Sequence, residues 1–118
     1  MDILIYGKAH KQKPLAELIE KCGPMQYRKI RFSMPDGYDS YLEELNRGEA
    51  HMIFVSGDGA DGMEAVISAR KLRPNTAVIW FSDDEGFGAQ SFRLGCSYFS
   101  SGPITEDVLA NAISRCAV

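Results

Sequence analysis

Residues 51–84, HMIFVSGDGADGMEAVISARKLRPNTAVIWFSDD, decide how this chain is read. Two short apolar runs, Met52–Val55 and Ala77–Phe81, are continuous rather than alternating, the pattern of strands covered on both faces. The segment between them has helical spacing. It places Met63, Val66, Ile67 and Leu72 on one inward stripe and ends in cations before Pro74. The stretch is therefore a strand–helix–strand unit. Its first turn, Ser56-Gly57-Asp58-Gly59-Ala60-Asp61-Gly62, also spells G-x-G-x-x-G, and Asp83 follows 21 residues after Gly62. Those are the parts of a dinucleotide-binding fingerprint.

Outside this unit the same alternation continues. Further strands are predicted at Ile3–Tyr6, Tyr27–Phe32 and Ser97–Ser100. One helix has Pro14 near its start, carries Leu15, Leu18, Ile19 and Cys22 on one stripe, and ends at Gly23. A second presents Tyr38, Tyr41, Leu42 and Leu45 and stops at Gly48. "GAQSFRLG" stops at Gly95, and the last helix begins with Thr105 as its cap and acids in its first turn. Five β-α repeats predict one α/β domain over residues 1–118. If its five-stranded parallel sheet has the order 2-1-3-4-5, with helices on both faces, the arrangement is flavodoxin-like. The ligand crevice of such a sheet gathers the loops after Tyr6, Ser56 and Ser82, with Gly102 nearby. A dinucleotide fold carries its fingerprint after the first strand, whereas here it follows the third. A small nucleotide- or flavin-binding domain using Gly57–Gly62 stands as an alternative reading.

Composition narrows the function. The chain has 118 residues, enough for one core without staples. A net charge of −3 argues against nucleic-acid binding by the domain, and the basic clusters at 7–13 and 28–31 are short enough to be solvated faces. Cys22, Cys96 and Cys116 lie far apart, as expected of reduced thiols in a cytoplasmic protein. No apolar run approaches the ~20 residues of a membrane span, and the N-terminus lacks the order of a signal peptide. His10 and His51 have no companions at ligand spacing, so no metal or cofactor is expected.

Several pieces together resemble the receiver domain of bacterial two-component response regulators, most of all receivers that precede LytTR-type DNA-binding domains. They are His51–Val55, Asp61-Gly62-Met63-Glu64, Arg70–Pro74, Val78–Ser82, Ser91–Tyr98 and Gly102-Pro103. "MDILIYGKAH" stands where the family begins "MKILICDDD", so the likeness spans the chain. The resemblance implies magnesium-assisted phosphoryl transfer to an aspartate, on a specific set of side chains.

Residue by residue, that set is depleted. The acidic pair after the first strand falls on Gly7 and Lys8, and the phosphoacceptor position falls on Ser56. The phosphoryl-binding lysine falls on Ser101 or Gly102. The switch hydroxyl remains as Ser82 and the switch aromatic as Tyr98. Asp58, two residues past Ser56, is either a turn residue or a relocated phosphoacceptor. Lys8 either tethers Asp58 or is solvated, Asp61 is expected to cap its helix, and Ser82 to cap the next. Gly102-Pro103 stands where the family often has a cis peptide. Phe87, Phe92, Tyr98 and Phe99 gather on the fourth helix and fifth strand, with Phe92 and Phe99 expected inward. The resulting expectation is a non-enzymatic, degenerate receiver that binds protein partners and dimerises through that face. It would stand alone or form one domain of a longer regulator.

Overall fold

In the computed structural model, which describes residues 1–116, strands and helices alternate throughout. The strands are β1 (Asp2–Gly7), β2 (Arg31–Ser33), β3 (Met52–Ser56), β4 (Ala77–Ser82) and β5 (Tyr98–Ser101). The helices are α1 (Ala9–Lys21), α2 (Tyr38–Arg47), α3 (Gly59–Leu72), α4 (Gly88–Leu94) and α5 (Glu106–Cys116). All four strand pairings are parallel, in the order β2-β1-β3-β4-β5. That is the predicted sheet. Register sets Gly7, Ser56 and Phe81 side by side, so the ends of the central strands open onto one crevice.

The continuous apolar strands divide their side chains between two cores. Ile3, Ile5, Phe54, Ile79 and Phe81 pack on one face against Leu15, Ile19, Leu109 and Ile113 of α1 and α5. Leu4, Ile53, Val55, Val78 and Trp80 pack on the other against α2 and α3, through Tyr41, Leu45, Ala65 and Val66. Both faces are covered, which is why period-two alternation is missing from the sequence.

Several boundaries differ from expectation. The second strand is only three residues long, because a 3-10 turn at Gly23–Met25 and Tyr27, at φ 72°, use the residues before it. α1 starts at Ala9, not near Pro14: the Lys8 carbonyl accepts the first-turn N–H groups of Lys11 and Gln12. Pro14 therefore sits inside the helix, leaving the carbonyl four residues back without its usual donor. Gln12 is buried in this first turn and donates its amide to Ile5 O at 3.0 Å and Pro35 O at 2.9 Å.

α3 starts at Gly59, four residues before the predicted Met63. Its sheet-facing stripe is Gly62, Ala65, Val66 and Ala69, the i, i+3, i+4, i+7 set. Ile67 lies off that stripe and Leu72 is the last residue of the helix, and they are 42% and 37% exposed rather than inward. Phe92 departs further. In the short α4 the inward residue is Ser91, so Phe92, about 100° further round, is 87% exposed.

Candidate functional site

The crevice is built from the β3–α3 loop upward. Gly57 is buried, and its carbonyl accepts a 2.9 Å hydrogen bond from the Trp80 indole N–H. Gly62, one turn into α3, packs on the same peptide. A Cβ there would lie 2.2 Å from Gly57 O and 2.7 Å from Trp80 Nε1. Gly57 and Gly62 thus permit a close backbone approach that the protein itself fills, whereas Gly59 faces open space.

This anchored loop delivers Asp58, the residue preceding α3, to the rim of the crevice. Its Oδ1 accepts from the Asp83 backbone N–H at 2.7 Å and from Ser82 Oγ at 3.5 Å. Its Oδ2 lies 3.8 Å from Lys11 Nζ, which is also 3.9 Å from Asp83 Oδ2. The Asp83 N–H above all, with Lys11 and Ser82 assisting, holds the Asp58 carboxyl below the ordinary aspartate range. Asp58 is thus more than a turn residue: it joins β4 to α1 electrostatically.

The other predicted positions are distributed around this junction. Ser56 is 93% buried at the end of β3 and lines the floor of the crevice beside Ser82, with Gly102 on the far rim. Lys8 is exposed and forms no ion pair among the described residues; the cation beside Asp58 is Lys11, one helical turn on. Helical rise explains this, since Lys8 lies outside α1 whereas Lys11 projects from its first turn. Ser101 is exposed, and Gly102 joins Pro103 through a trans peptide. Ser82 does not cap a helix: its Oγ accepts the Asp84 N–H, while Asp84 caps the 3-10 turn Glu85–Phe87 through the Gly86 N–H. Asp61 lies inside α3 and accepts from Tyr6 Oη at 2.9 Å. Burial first, then Asp61, pushes the Tyr6 phenol up to about 12.

Aromatic residues of the β5 edge divide between the two cores. Tyr98 packs toward α5, where Arg115 lies 5.6 Å from its ring centroid. Phe99 and Phe87 are partly buried against Trp80, with centroids 5.2 and 5.6 Å away.

Comparison with solved structures finds the same fold in receiver proteins and in pilus-assembly proteins. The Vibrio cholerae chemotaxis protein CheY4 superposes with a TM-score of 0.76 at 11% identity, over 98% of this chain and 97% of that one. The chain has the receiver fold. A LuxR-family DNA-binding response regulator from Silicibacter pomeroyi gives 0.75 at 17% identity, over 97% and 88% of the two chains. A CpaE-type pilus-assembly protein from Burkholderia thailandensis gives 0.75 at 18% identity, over 99% and 98%. No family model and no curated protein sequence matches the chain.

Receivers of the ordinary kind bind magnesium on carboxylates at this crevice, and the residues present do not fit that ion. Gly7 offers no oxygen from a side chain, and a Cβ there would lie 2.8 Å from Ser56 O. The two nearby carboxylates, Asp58 and Asp83, share the Lys11 ammonium. A hard divalent ion needs several converging oxygens and is repelled by a cation placed among them. No helix among the described residues is long and apolar enough to cross a membrane.

Lys11 escaped sequence reasoning because the helix was expected to start only near Pro14, and Asp83 was read as the acid of a dinucleotide fingerprint rather than as a partner of Asp58 and Lys11.

Proposed function

We propose that this domain is a degenerate receiver, a signalling module that acts by protein contact and is not switched by the ordinary aspartyl-phosphate cycle. One observation carries the reading: Asp58 is engaged by Lys11, Ser82 and the Asp83 N–H. The Lys11 ammonium lies between the crevice carboxylates Asp58 and Asp83 and opposes a divalent cation there. Metal, electrophile and nucleophile act as a unit in phosphoryl transfer, so their joint loss costs far more than one alone. The contact face is that of α4 and β5, where Phe92 exposes a large apolar ring and Tyr98 and Phe99 are partly buried. A second copy of the chain is the expected occupant.

Intact-mass analysis after incubation with acetyl phosphate and magnesium tests the first part. The expected result is an unmodified mass; a phosphoryl adduct mapped to Asp58 would establish an atypical phosphoacceptor instead. Sedimentation of wild type and Phe92→Ser tests the second. The wild type should sediment as a concentration-dependent dimer and the variant as a monomer.

A further inference from the structure

The crevice beneath the Lys11–Asp58–Asp83 cluster has a volume of about 310 Å³, within the range of small-molecule sites. Its walls are apolar, formed by Leu15 and Leu18 of α1, Phe81 of β4, and Pro103 and Ile104 beyond β5. Two serine hydroxyls line it, Ser56 and Ser82, and Ser82 Oγ is already engaged by the Asp84 N–H and Asp58. Ser56 is only 7% exposed and lines the crevice, and its Oγ makes no hydrogen bond to another described residue. A hydroxyl in that position gains a partner when an oxygen-bearing ligand enters. The mouth carries two carboxylates, Asp58 and Asp83, against one ammonium. Lys11 touches both only loosely, at 3.8 and 3.9 Å.

We propose that this crevice binds a small organic amine with an apolar, ring-sized body and a hydroxyl or carbonyl oxygen at the end opposite the nitrogen. The oxygen meets Ser56 Oγ, the ring lies between Leu18 and Ile104, and the ligand ammonium replaces Lys11 between Asp58 and Asp83. The inference rests on the reading that this crevice no longer performs phosphoryl transfer. Binding releases Lys11 from the β4 junction, so occupancy of the crevice is communicated to the first turn of α1.

Tyramine carries these three features and serves as the probe. Its matched comparisons are phenethylamine without the hydroxyl, 4-ethylphenol without the amine, and 4-hydroxyphenylpropionate with the charge reversed. Titrations of the 15N-labelled domain are read from the amide shifts of Leu18, Ser56 and Ile104. Tyramine should saturate those shifts below about 10 mM, the range a ligand of this size can reach. 4-Ethylphenol should bind more weakly, and the anion should not bind.

Ser56→Ala should weaken tyramine about fivefold, one ordinary hydrogen bond, and leave phenethylamine unchanged. Lys11→Met should tighten tyramine by removing its competitor, an outcome that a purely structural role for Lys11 does not give. Equal binding of the neutral, anionic and cationic probes would overturn the proposal. So would shifts that fail to saturate or that map elsewhere. A phosphoryl adduct on Asp58 defeats the degenerate-receiver reading instead, and it is detected without any amine present.

Discussion

Trp80 and Gly57 are joined by a buried hydrogen bond, indole N–H to carbonyl, and Gly62 lies against both partners. Through this relationship the interior of the sheet fixes the path of the loop that carries Asp58. Gly62→Ala forces a Cβ into backbone and should cost about 2–3 kcal/mol. Gly59→Ala meets open space but a φ of 56°, and should cost only about 1 kcal/mol. Urea unfolding of both variants checks the order: equal costs would show that the loop relaxes around Gly62.

Removing the donor instead of crowding the acceptor should also destabilise the domain. Trp80→Phe leaves the Gly57 carbonyl without its indole partner and creates a gap beside Phe87 and Phe99. A loss of about 2–4 kcal/mol is expected from the unpaired acceptor and the cavity together. The same denaturant midpoint measures it.

Gln12 offers an independent test on the other side of the crevice. Its buried amide serves both Ile5 O and Pro35 O, tying α1 to β1 and to the loop before α2. Gln12→Leu keeps the bulk but removes both donors, and should cost about 1–3 kcal/mol. A neutral effect would mean that water replaces the amide.

The Asp58 carboxyl gives a pH dependence of definite sign. Its folded pKa is depressed, first by the Asp83 N–H and then by Lys11. Its contribution is therefore present above the ordinary aspartate range and lost as pH falls through the lower folded value. The carboxylate side chain is 49% exposed, so screening keeps that contribution below about 1 kcal/mol. Carboxyl-carbon NMR titration should show the Asp58 midpoint rising in Lys11→Met while staying below the ordinary range, since the backbone donor remains.

Tyr6 titrates in the opposite regime. Its folded pKa is raised to about 12, so the stability linked to its neutral form is complete below pH ~10. That stability is lost as pH rises from there through about 12. Ultraviolet difference titration of wild type and Tyr6→Phe should isolate this late-ionising phenol. A Tyr6 midpoint near that of a free tyrosine would mean that the phenol is solvated in solution, its burial and its Asp61 contact both lost.

The sequence by itself determined the β-α alternation and the two-sided burial of the sheet, whereas the strand order came with the likeness to receivers. Runs such as Ile3–Tyr6 and Ala77–Phe81 have no stable arrangement other than one covered on both faces. The likeness to receivers drew attention to Gly7, Lys8 and Ser56, and the structure sets Gly7 and Ser56 side by side at the ends of their strands. Only the tertiary structure decided what stands in the crevice instead. Whether Lys8 or Lys11 reaches Asp58 depends on where α1 begins, and Pro14 marked that boundary wrongly because the first turn is held by the Lys8 carbonyl. The role of SGDGADG was likewise settled across the sheet. Its glycines answer to Trp80, 18 residues beyond Gly62 in sequence and in direct contact in the fold. Such a requirement leaves no local spacing, because it comes from the closeness of two backbones and an indole.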